Sequence, residues 1–195
     1  MKKTDYKELK KGGMMRQCEK GRFSVRLHIT GGRIRSKGLK AIKDVADKYG
    51  SGQVHLTARQ GVEIPDISQE NLWVVKSELA SGGIGVGVCG PTIRTVTACQ
   101  GCRIGPNGVV DSPGLAEMID EHFYGKTVPH KFKIGISKCA NNCLKAEEAT
   151  LKDKDLKSVM ILVKSEGYKV IDVFREGQFC HLLVESPILH PGNIS

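Results

Sequence analysis

Four of the seven cysteines stand in two close pairs, and this arrangement limits the possible folds more than any other feature. Cys99 and Cys102 form a C-x2-C pair, Cys139 and Cys143 form a C-x3-C pair, and 36 residues separate the pairs. Thiolates are soft ligands, and four of them suit a tetrahedral zinc ion or an iron–sulfur cluster. The small residues around the thiols favour a cluster, because they leave backbone N–H groups free to bond sulfur. The spacing alone leaves both metals open.

The other three cysteines, Cys18, Cys89 and Cys180, stand alone and are interpreted as ordinary unreactive side chains. The basic N-terminus lacks the apolar stretch of a signal peptide, and no run approaches the ~18 apolar residues of a membrane span. We therefore expect a cytoplasmic location and no membrane partner. In a reducing compartment, clustered cysteines hold metal or do redox work more often than they form disulfides.

The net charge of +9 predicts an anionic partner. The chain has five Phe, four Tyr and one Trp, and no basic stretch is interleaved with aromatic residues. Nucleic-acid binding is therefore not the favoured interpretation. A zinc-stabilised nucleic-acid-binding protein stays open only as a lesser alternative.

Hydrophobic periodicity predicts an α+β unit in the first part of the chain. Phe23, Val25, Leu27 and Ile29 alternate with polar residues, and Leu39, Ile42, Val45, Ala46 and Tyr49 form a helical stripe. After a loose basic arm, the first predicted elements are a strand over 22–29 and a helix that has Ser36 as its cap and ends at Gly50. A second strand is predicted over 53–64, with Val54, Leu56 and Ala58 on one face. A second helix is predicted over 69–80.

The glycine-rich stretch 83–91 is predicted to be a connector. It contains a G-x-G-x-x-G pattern, but a β-branched stretch follows where a nucleotide-binding loop should open a helix. Beyond it the pattern predicts a helix from Ser112 to about Gly125 with Ser112 as its cap, a strand over 130–137, further strands over 158–163 and 168–174, and an irregular end.

Cations stand on the polar sides of three predicted strands. They are Arg26, Arg59, Lys131 and Lys133. Any one such residue is ordinarily a solvated surface charge. Three strands that each offer cations on the non-core face indicate instead a lining for a polyanion, because Arg binds carboxylates in bidentate fashion and Lys acts as a point charge or proton source.

Three ordered stretches resemble the siroheme-dependent nitrite and sulfite reductases. They are "RLHITGG…LKAIKDVADKYGSGQVHLTARQGVEI", "CGPTIRTVTACQGC" and "PHKFKIGISKCANNC". The resemblance implies an α+β fold in which a ferredoxin-like half-domain precedes an α/β siroheme and [4Fe-4S] domain. The implied organisation is a basic arm over 1–20, the half-domain over 21–82 and the cluster domain over 83–195.

The resemblance also implies the site. Its cluster ligands would be Cys99, Cys102, Cys139 and Cys143, and Cys143 would bridge to the siroheme iron. Siroheme-binding residues would be Arg26, Thr57, Arg59, Gln60, Arg94, Lys131, Lys133, Asn141 and Cys143. Catalytic contacts to a small oxyanion substrate would come from Arg26, Arg59, Lys131 and Lys133.

The implied activity is the six-electron reduction of sulfite or nitrite, with electrons from a ferredoxin-like donor. The chain departs from the family in three ways. Its first pair is C-x2-C where C-x5-C is usual, it has a single copy of the domain pair, and its tail from about residue 150 is atypical. The single copy implies a homodimer or a partner subunit. A non-catalytic iron–sulfur subunit without siroheme is the alternative within the same fold.

Overall fold

In the computed structural model of this chain, a sheet of five strands forms the first half. The structure describes residues 5–101, 104, 111–128, 131–137, 144, 160–161, 164–165, 169–176 and 179–185, the last two ranges as backbone. The strands are β1 (Met14–Arg16), β2 (Arg22–His28), β3 (His55–Leu56), β4 (Val62–Ser68) and β5 (Gly85–Val86). The antiparallel order is β1-β2-β4-β3, and β5 pairs with the end of β2.

The core of this sheet follows the predicted alternation. Phe23, Val25 and Leu27 of β2 are buried against Ile64 and Ile67 of β4. Two helices cover the same face, α2 (Ser36–Tyr49) and α3 (Leu72–Ser81), and the short strands and helices together bury one continuous apolar cluster. The predicted strand over 22–29 and both predicted helices are confirmed.

Details of α2 differ from the prediction. Ile42, Val45 and Ala46 are buried as expected, but Leu39 is 58% exposed. The helix begins at Ser36 itself, with Arg35 in the cap position and no side-chain cap hydrogen bond. Leu39 therefore lies on the solvent side of the helix, and Ser36 is not its cap.

The expectation of a loose N-terminal arm is wrong for residues 6–16. Helix α1 (Tyr6–Lys11) is capped by Asp5, whose carboxylate accepts hydrogen bonds from the backbone N–H groups of Lys7 and Glu8. Strand β1 then pairs with β2, and Met14 is 3% exposed. A side-chain cap and one buried methionine order this polar segment.

The second predicted strand is wrong over most of its length. Only His55 and Leu56 form β3, and both are exposed because β3 is the edge strand of the sheet. Residues 57–61 form a turn in which the Thr57 backbone N–H donates to the Gly61 carbonyl at 2.9 Å. Gln60 adopts the left-handed conformation, with φ of 55°. The predicted inward face of Val54, Leu56 and Ala58 is therefore absent.

A second, smaller core surrounds a parallel strand pair, β6 (Thr97–Ala98) and β7 (Gly135–Ile136). Helix α4 (Ser112–Phe123) lies between them in sequence, as a parallel connection requires. Leu115, Ala116 and Ile119 are buried on its inner side. The predicted helix is confirmed, but Asp111, not Ser112, caps it by accepting from the Gly114 N–H. Of the strand predicted over 130–137, the described residues 131–137 form only β7 and one bridge at Phe132.

The C-terminal part contains an antiparallel hairpin of β8 (Lys169–Glu176) and β9 (Phe179–Glu185). Strand β8 confirms the strand predicted over 168–174, whereas β9 was not predicted. Met160 and Ile161 are helical, so the strand predicted over 158–163 is wrong at these two residues. In the described part of the chain, no helix is long and apolar enough to cross a membrane.

A buried carboxylate on α4 joins the two cores. Asp120, 4% exposed, accepts hydrogen bonds from the Val96 backbone N–H at 2.9 Å and from the Thr30 hydroxyl at 3.0 Å. Its second oxygen also lies 2.5 Å from Nε2 of His28. Because His28 ends β2 of the first sheet and Val96 lies in the second core, this one side chain couples the packing of both halves.

The ring of Tyr124 closes the same junction. It stacks on the His28 ring with centroids 3.7 Å apart, and its hydroxyl donates to the Val86 carbonyl at 3.1 Å. Burial raises the pKa of Tyr124, and the nearby Asp120 raises it further. The tyrosine therefore stays a neutral hydrogen-bond donor at physiological pH.

We predict that Asp120→Ala lowers the free energy of unfolding by about 2–4 kcal/mol, because it leaves the buried Val96 N–H without its acceptor and removes the contacts to Thr30 and His28. Urea unfolding of the anaerobically purified protein measures the change. Asp47→Ala is the matched control, because the Asp47 carboxylate forms an exposed pair with Lys43 and such pairs contribute little to stability. Equal losses in the two variants would contradict the coupling role.

Candidate functional site

The parallel strands β6 and β7 end side by side at one end of the second core. Ala98 pairs with Ile136, and the backbone N–H of Cys99 donates to the Ile136 carbonyl at 2.9 Å. Cys99 thus leaves β6 beside Ser137, which leaves β7, and in the sequence Cys139 follows two residues later. Parallel strands present their carboxyl ends at the same edge, so the chain enters both pairs from neighbouring points.

Cys99 is the predicted cluster ligand that the structure describes. Cys102, Cys139, Asn141 and Cys143 lie outside the described residues. Cys99 is a free, half-buried thiol, and its sulfur lies 3.2 Å from the hydroxyl of Ser112, the first residue of α4. Among the described residues, no group of three His, Cys, Asp or Glu side chains could hold a metal ion. The predicted ligand set therefore depends on Cys99 together with cysteines outside them.

Gln60 fixes the strand that precedes Cys99. Its side-chain amide donates to the Ala98 carbonyl at 2.8 Å, and its amide oxygen accepts from the Ala98 N–H at 2.9 Å. The left-handed turn at Gln60 brings the amide to this position from the β3–β4 hairpin. The turn residues of the first core therefore hold the cysteine strand of the second.

Arg59 lies in the same turn. Its guanidinium group contacts the carbonyl oxygens of Thr95 and Ile134 at 3.4 and 3.5 Å, so it reaches the residues just before β6 and β7. Lys133 precedes Ile134 and is half-buried, whereas Lys131 is exposed. The structure thus brings Arg59 to the segment that carries Lys133. It does so from a turn, so the prediction that Arg59 stands on the polar face of a strand is wrong.

Arg26 stands on β2 as predicted, but it is already ion-paired. Its guanidinium group lies 2.6 Å from a carboxylate oxygen of Glu63 and 3.1 Å from the sulfur of the buried Cys89. Burial opposes the charged form, but the hydrogen bond to Glu63 and the charge interactions with Cys89 and Glu63 raise the pKa of Arg26 above its ordinary value. Arg26 is therefore permanently cationic, with part of its charge neutralised by its own sheet.

Arg94 and Thr57 have local partners. The guanidinium group of Arg94 donates to the carbonyls of Val88 and Gly90. The Thr57 hydroxyl accepts from the Gly61 N–H at 3.0 Å and so holds the β3–β4 turn. Arg26 and Arg94 meet at the 88–90 segment, whereas Arg59 and Gln60 meet at β6. The predicted cofactor contacts of these residues stay predictions.

Sequence reasoning missed several residues that shape the site. Glu63 lies opposite Arg26 on the neighbouring strand β4, and no local sequence pattern predicts that pairing. Ser112 was assigned to helix capping, although it contacts Cys99. Asp120 could have been found, because it follows the buried Ala116 by one helical turn and a carboxylate on an apolar helix face needs a partner.

The surroundings of Cys99 fit a cluster ligand. The donor is a soft sulfur, it is half-buried, and a hydroxyl lies at hydrogen-bond distance from it. A second cysteine pair follows the neighbouring strand in sequence. These features suit a thiolate that carries negative charge near, but not inside, an apolar core.

Two family models match the chain in sequence order. Residues 15–82 match the nitrite/sulfite reductase ferredoxin-like half domain, and residues 89–152 match the nitrite and sulphite reductase 4Fe-4S domain. Together the two matches cover most of the chain. The domain boundaries predicted at residues 20 and 82 stay predictions.

Curated relatives include one uncharacterized protein and two proteins named for sulfite reductase. An uncharacterized protein of Methanocaldococcus jannaschii is 38% identical over 121 residues, which are 62% of this chain and 43% of that protein. The coenzyme F420-dependent sulfite reductase of the same organism is 31% identical over 70% of this chain and 22% of its own length. One of the subunits of the anaerobic sulfite reductase of Salmonella typhimurium is 30% identical over 68% of this chain and 43% of its own length. The chain thus spans less than half the length of these relatives.

Solved structures share the fold. A dissimilatory sulfite reductase I chain aligns with a TM-score of 0.61 at 20% identity, over 66% of this chain and 32% of that chain. The NirA protein of Mycobacterium tuberculosis aligns with a TM-score of 0.63 at 21% identity, over 70% of this chain and 30% of that chain. Family models and fold agree, and the chain therefore belongs to the nitrite and sulfite reductase family, with a ferredoxin-like half-domain followed by a 4Fe-4S domain.

Proposed function

We propose that the chain is a siroheme- and [4Fe-4S]-dependent reductase subunit that reduces sulfite to sulfide, or nitrite to ammonia, by six-electron transfer. The observation that carries the proposal is the meeting of Cys99, Gln60 and Arg59 at the strand pair β6 and β7. A soft ligand after β6 and a cation held at the residues before β6 and β7 belong to one strand pair, and the two together suit an iron centre that receives an anion.

The cluster would be held by Cys99, Cys102, Cys139 and Cys143, and Cys143 would also be among the residues that hold siroheme. The carboxylates of siroheme would be met by cationic and polar side chains, namely Arg26, Thr57, Arg59, Gln60, Arg94, Lys131, Lys133 and Asn141. When bound, the two groups would carry electrons from the donor to the substrate, and the protein would orient and tune them.

The side chains of this chain would perform three tasks. Arg59, whose position is fixed by the turn and the carbonyls of β6 and β7, would offset the negative charge of the oxyanion. Lys131 and Lys133 would donate protons from Nζ as each substrate oxygen leaves as water. Gln60 would hold the cysteine strand in place while the charge at the site changes.

The proposal extends to partners. The similarity to a protein named as a subunit of anaerobic sulfite reductase supports a homodimer or a partner subunit. The net charge of +9 supports an acidic, ferredoxin-like electron donor in a cytoplasmic setting, because a positive surface steers an acidic partner.

A second function within the same fold is supported by Arg26. Its ion pair with Glu63 means that one predicted siroheme contact already has a carboxylate partner. A non-catalytic iron–sulfur electron-transfer subunit would need no free cation there. The absorption spectrum of anaerobically purified protein distinguishes the two functions. Siroheme bands together with sulfite or nitrite reduction from a low-potential donor support the reductase, whereas a brown protein without haem bands supports the electron-transfer role.

We predict that Cys99→Ala strongly lowers the iron and acid-labile sulfide content of the anaerobically purified protein, because a cluster with Cys ligation would lose one thiolate. The control is Cys18→Ala, which removes an exposed cysteine outside both pairs and should keep the wild-type content. Metal analysis measures both. Wild-type iron in the Cys99 variant would refute its role as a ligand, and a colourless wild-type protein that contains zinc would support the zinc alternative.

We predict that Lys133→Ala lowers kcat by about 100-fold or more, the usual range for losing a positioned proton donor, while the siroheme absorbance is kept. Steady-state assays with sulfite and nitrite measure the change. Lys126→Ala is the control, since Lys126 is exposed on the same domain after α4. An unchanged kcat in the Lys133 variant would contradict its part in proton supply.

A further inference from the structure

The first turn of α4 packs directly against the segment that follows Cys99. Gly101 has φ of +75°, and a Cβ on this residue would lie 2.7 Å from Cδ of Pro113 and 3.3 Å from the backbone nitrogen of Ser112. Gly101 is itself buried. Only a residue without a side chain permits this approach, so the cysteine segment and the helix start are held in close contact.

Ser112 is completely buried at this contact. Its exposed fraction is 0%, and the structure places its hydroxyl oxygen 3.2 Å from the sulfur of Cys99. The helix is capped by Asp111, so the Ser112 hydroxyl is not needed for capping. Buried hydroxyls are nearly always hydrogen-bonded, and here the partner is a sulfur.

The position of the Cys99 sulfur relative to Ser112 is fixed by the backbone on both sides. Ala98 is held by the two hydrogen bonds to Gln60, and the Cys99 N–H is held by the Ile136 carbonyl at 2.9 Å. A thiol would donate to the serine oxygen. A thiolate has no proton, so the serine hydroxyl becomes the donor and the same distance serves both states.

We propose that Ser112 is a positioning residue that sets the reduction potential of the centre bound through Cys99. This rests on the proposed function, because it requires Cys99 to be a cluster ligand. A hydroxyl that donates to a ligating sulfur stabilises the state with more negative charge, which is the reduced one. The hydrogen bond from Ser112 therefore raises the potential and makes the centre easier to reduce.

The test is a redox titration of the anaerobically purified holoprotein, followed by electron paramagnetic resonance of the reduced centre. Ser112→Ala should keep the wild-type iron and sulfide content and shift the midpoint to lower potential, by up to about a tenfold change in the reduced-to-oxidised ratio, which is about 59 mV for one electron. An unchanged midpoint in this variant would overturn the proposal.

Thr97→Val is the matched control. Thr97 is a buried residue of β6 whose hydroxyl donates to the Ile134 carbonyl at 3.2 Å and not to a sulfur. It should leave the midpoint unchanged, and an equal shift in both variants would show that any lost hydroxyl near β6 has this effect, which overturns the proposal.

Ser112→Thr keeps a hydroxyl and serves if Ser112→Ala does not retain its iron. A wild-type midpoint in the threonine variant supports the hydrogen bond, and a midpoint lowered in spite of the retained hydroxyl overturns it. A wild-type protein that holds no iron–sulfur centre would instead refute the proposed function, so the two failures are distinguishable.

Discussion

The two hydrogen bonds between the Gln60 amide and the Ala98 backbone determine how the two halves of this chain meet. The Gln60 amide nitrogen donates to the Ala98 carbonyl at 2.8 Å, and the Gln60 amide oxygen accepts from the Ala98 N–H at 2.9 Å. Ala98 lies beside β7 on one edge, and on its other edge the side chain of Gln60 takes the place of a second strand. Because Cys99 follows Ala98 immediately, the β3–β4 hairpin helps to position the first predicted ligand.

The same turn lets two neighbouring side chains reach the second core, which a strand would prevent. Arg59 reaches the carbonyls before β6 and β7, while Gln60 holds β6 itself. On a regular strand, neighbouring side chains point to opposite faces and could not both reach the second core. The left-handed conformation at Gln60 allows it. The two arginines also differ in their partners. Arg26 is paired with Glu63 in its own sheet, whereas Arg59 is held by the turn beside the strand that leads to Cys99.

Local patterns predicted the elements whose environment is set by their own sequence. The alternation of Phe23, Val25 and Leu27 and the helix predicted over 69–80 were correct, because each buries one face against a single core. The family resemblance supplied the order of the domains. The turn after Leu56 was missed because "QVHLTARQGVEI" alternates well enough to imitate a strand.

Other features depend on long-range contacts that no local pattern contains. Asp120 meets His28 across 92 positions, and Gln60 meets Ala98 across 38. The ordering of residues 6–16 depends on pairing with β2. For Ser112, sequence reasoning identified the correct helix start but the wrong partner, because the cap is supplied one residue earlier by Asp111 and the hydroxyl is left for Cys99.

The central claim is that the cysteine pairs and the cation held by the hairpin turn converge on one iron centre. Diffraction from crystals of the anaerobic holoprotein, recorded on both sides of the iron absorption edge, locates that metal directly. The account predicts an iron signal bonded to the sulfur of Cys99, at the carboxyl ends of β6 and β7. Iron bound elsewhere, or a signal at the zinc edge in its place, would contradict it.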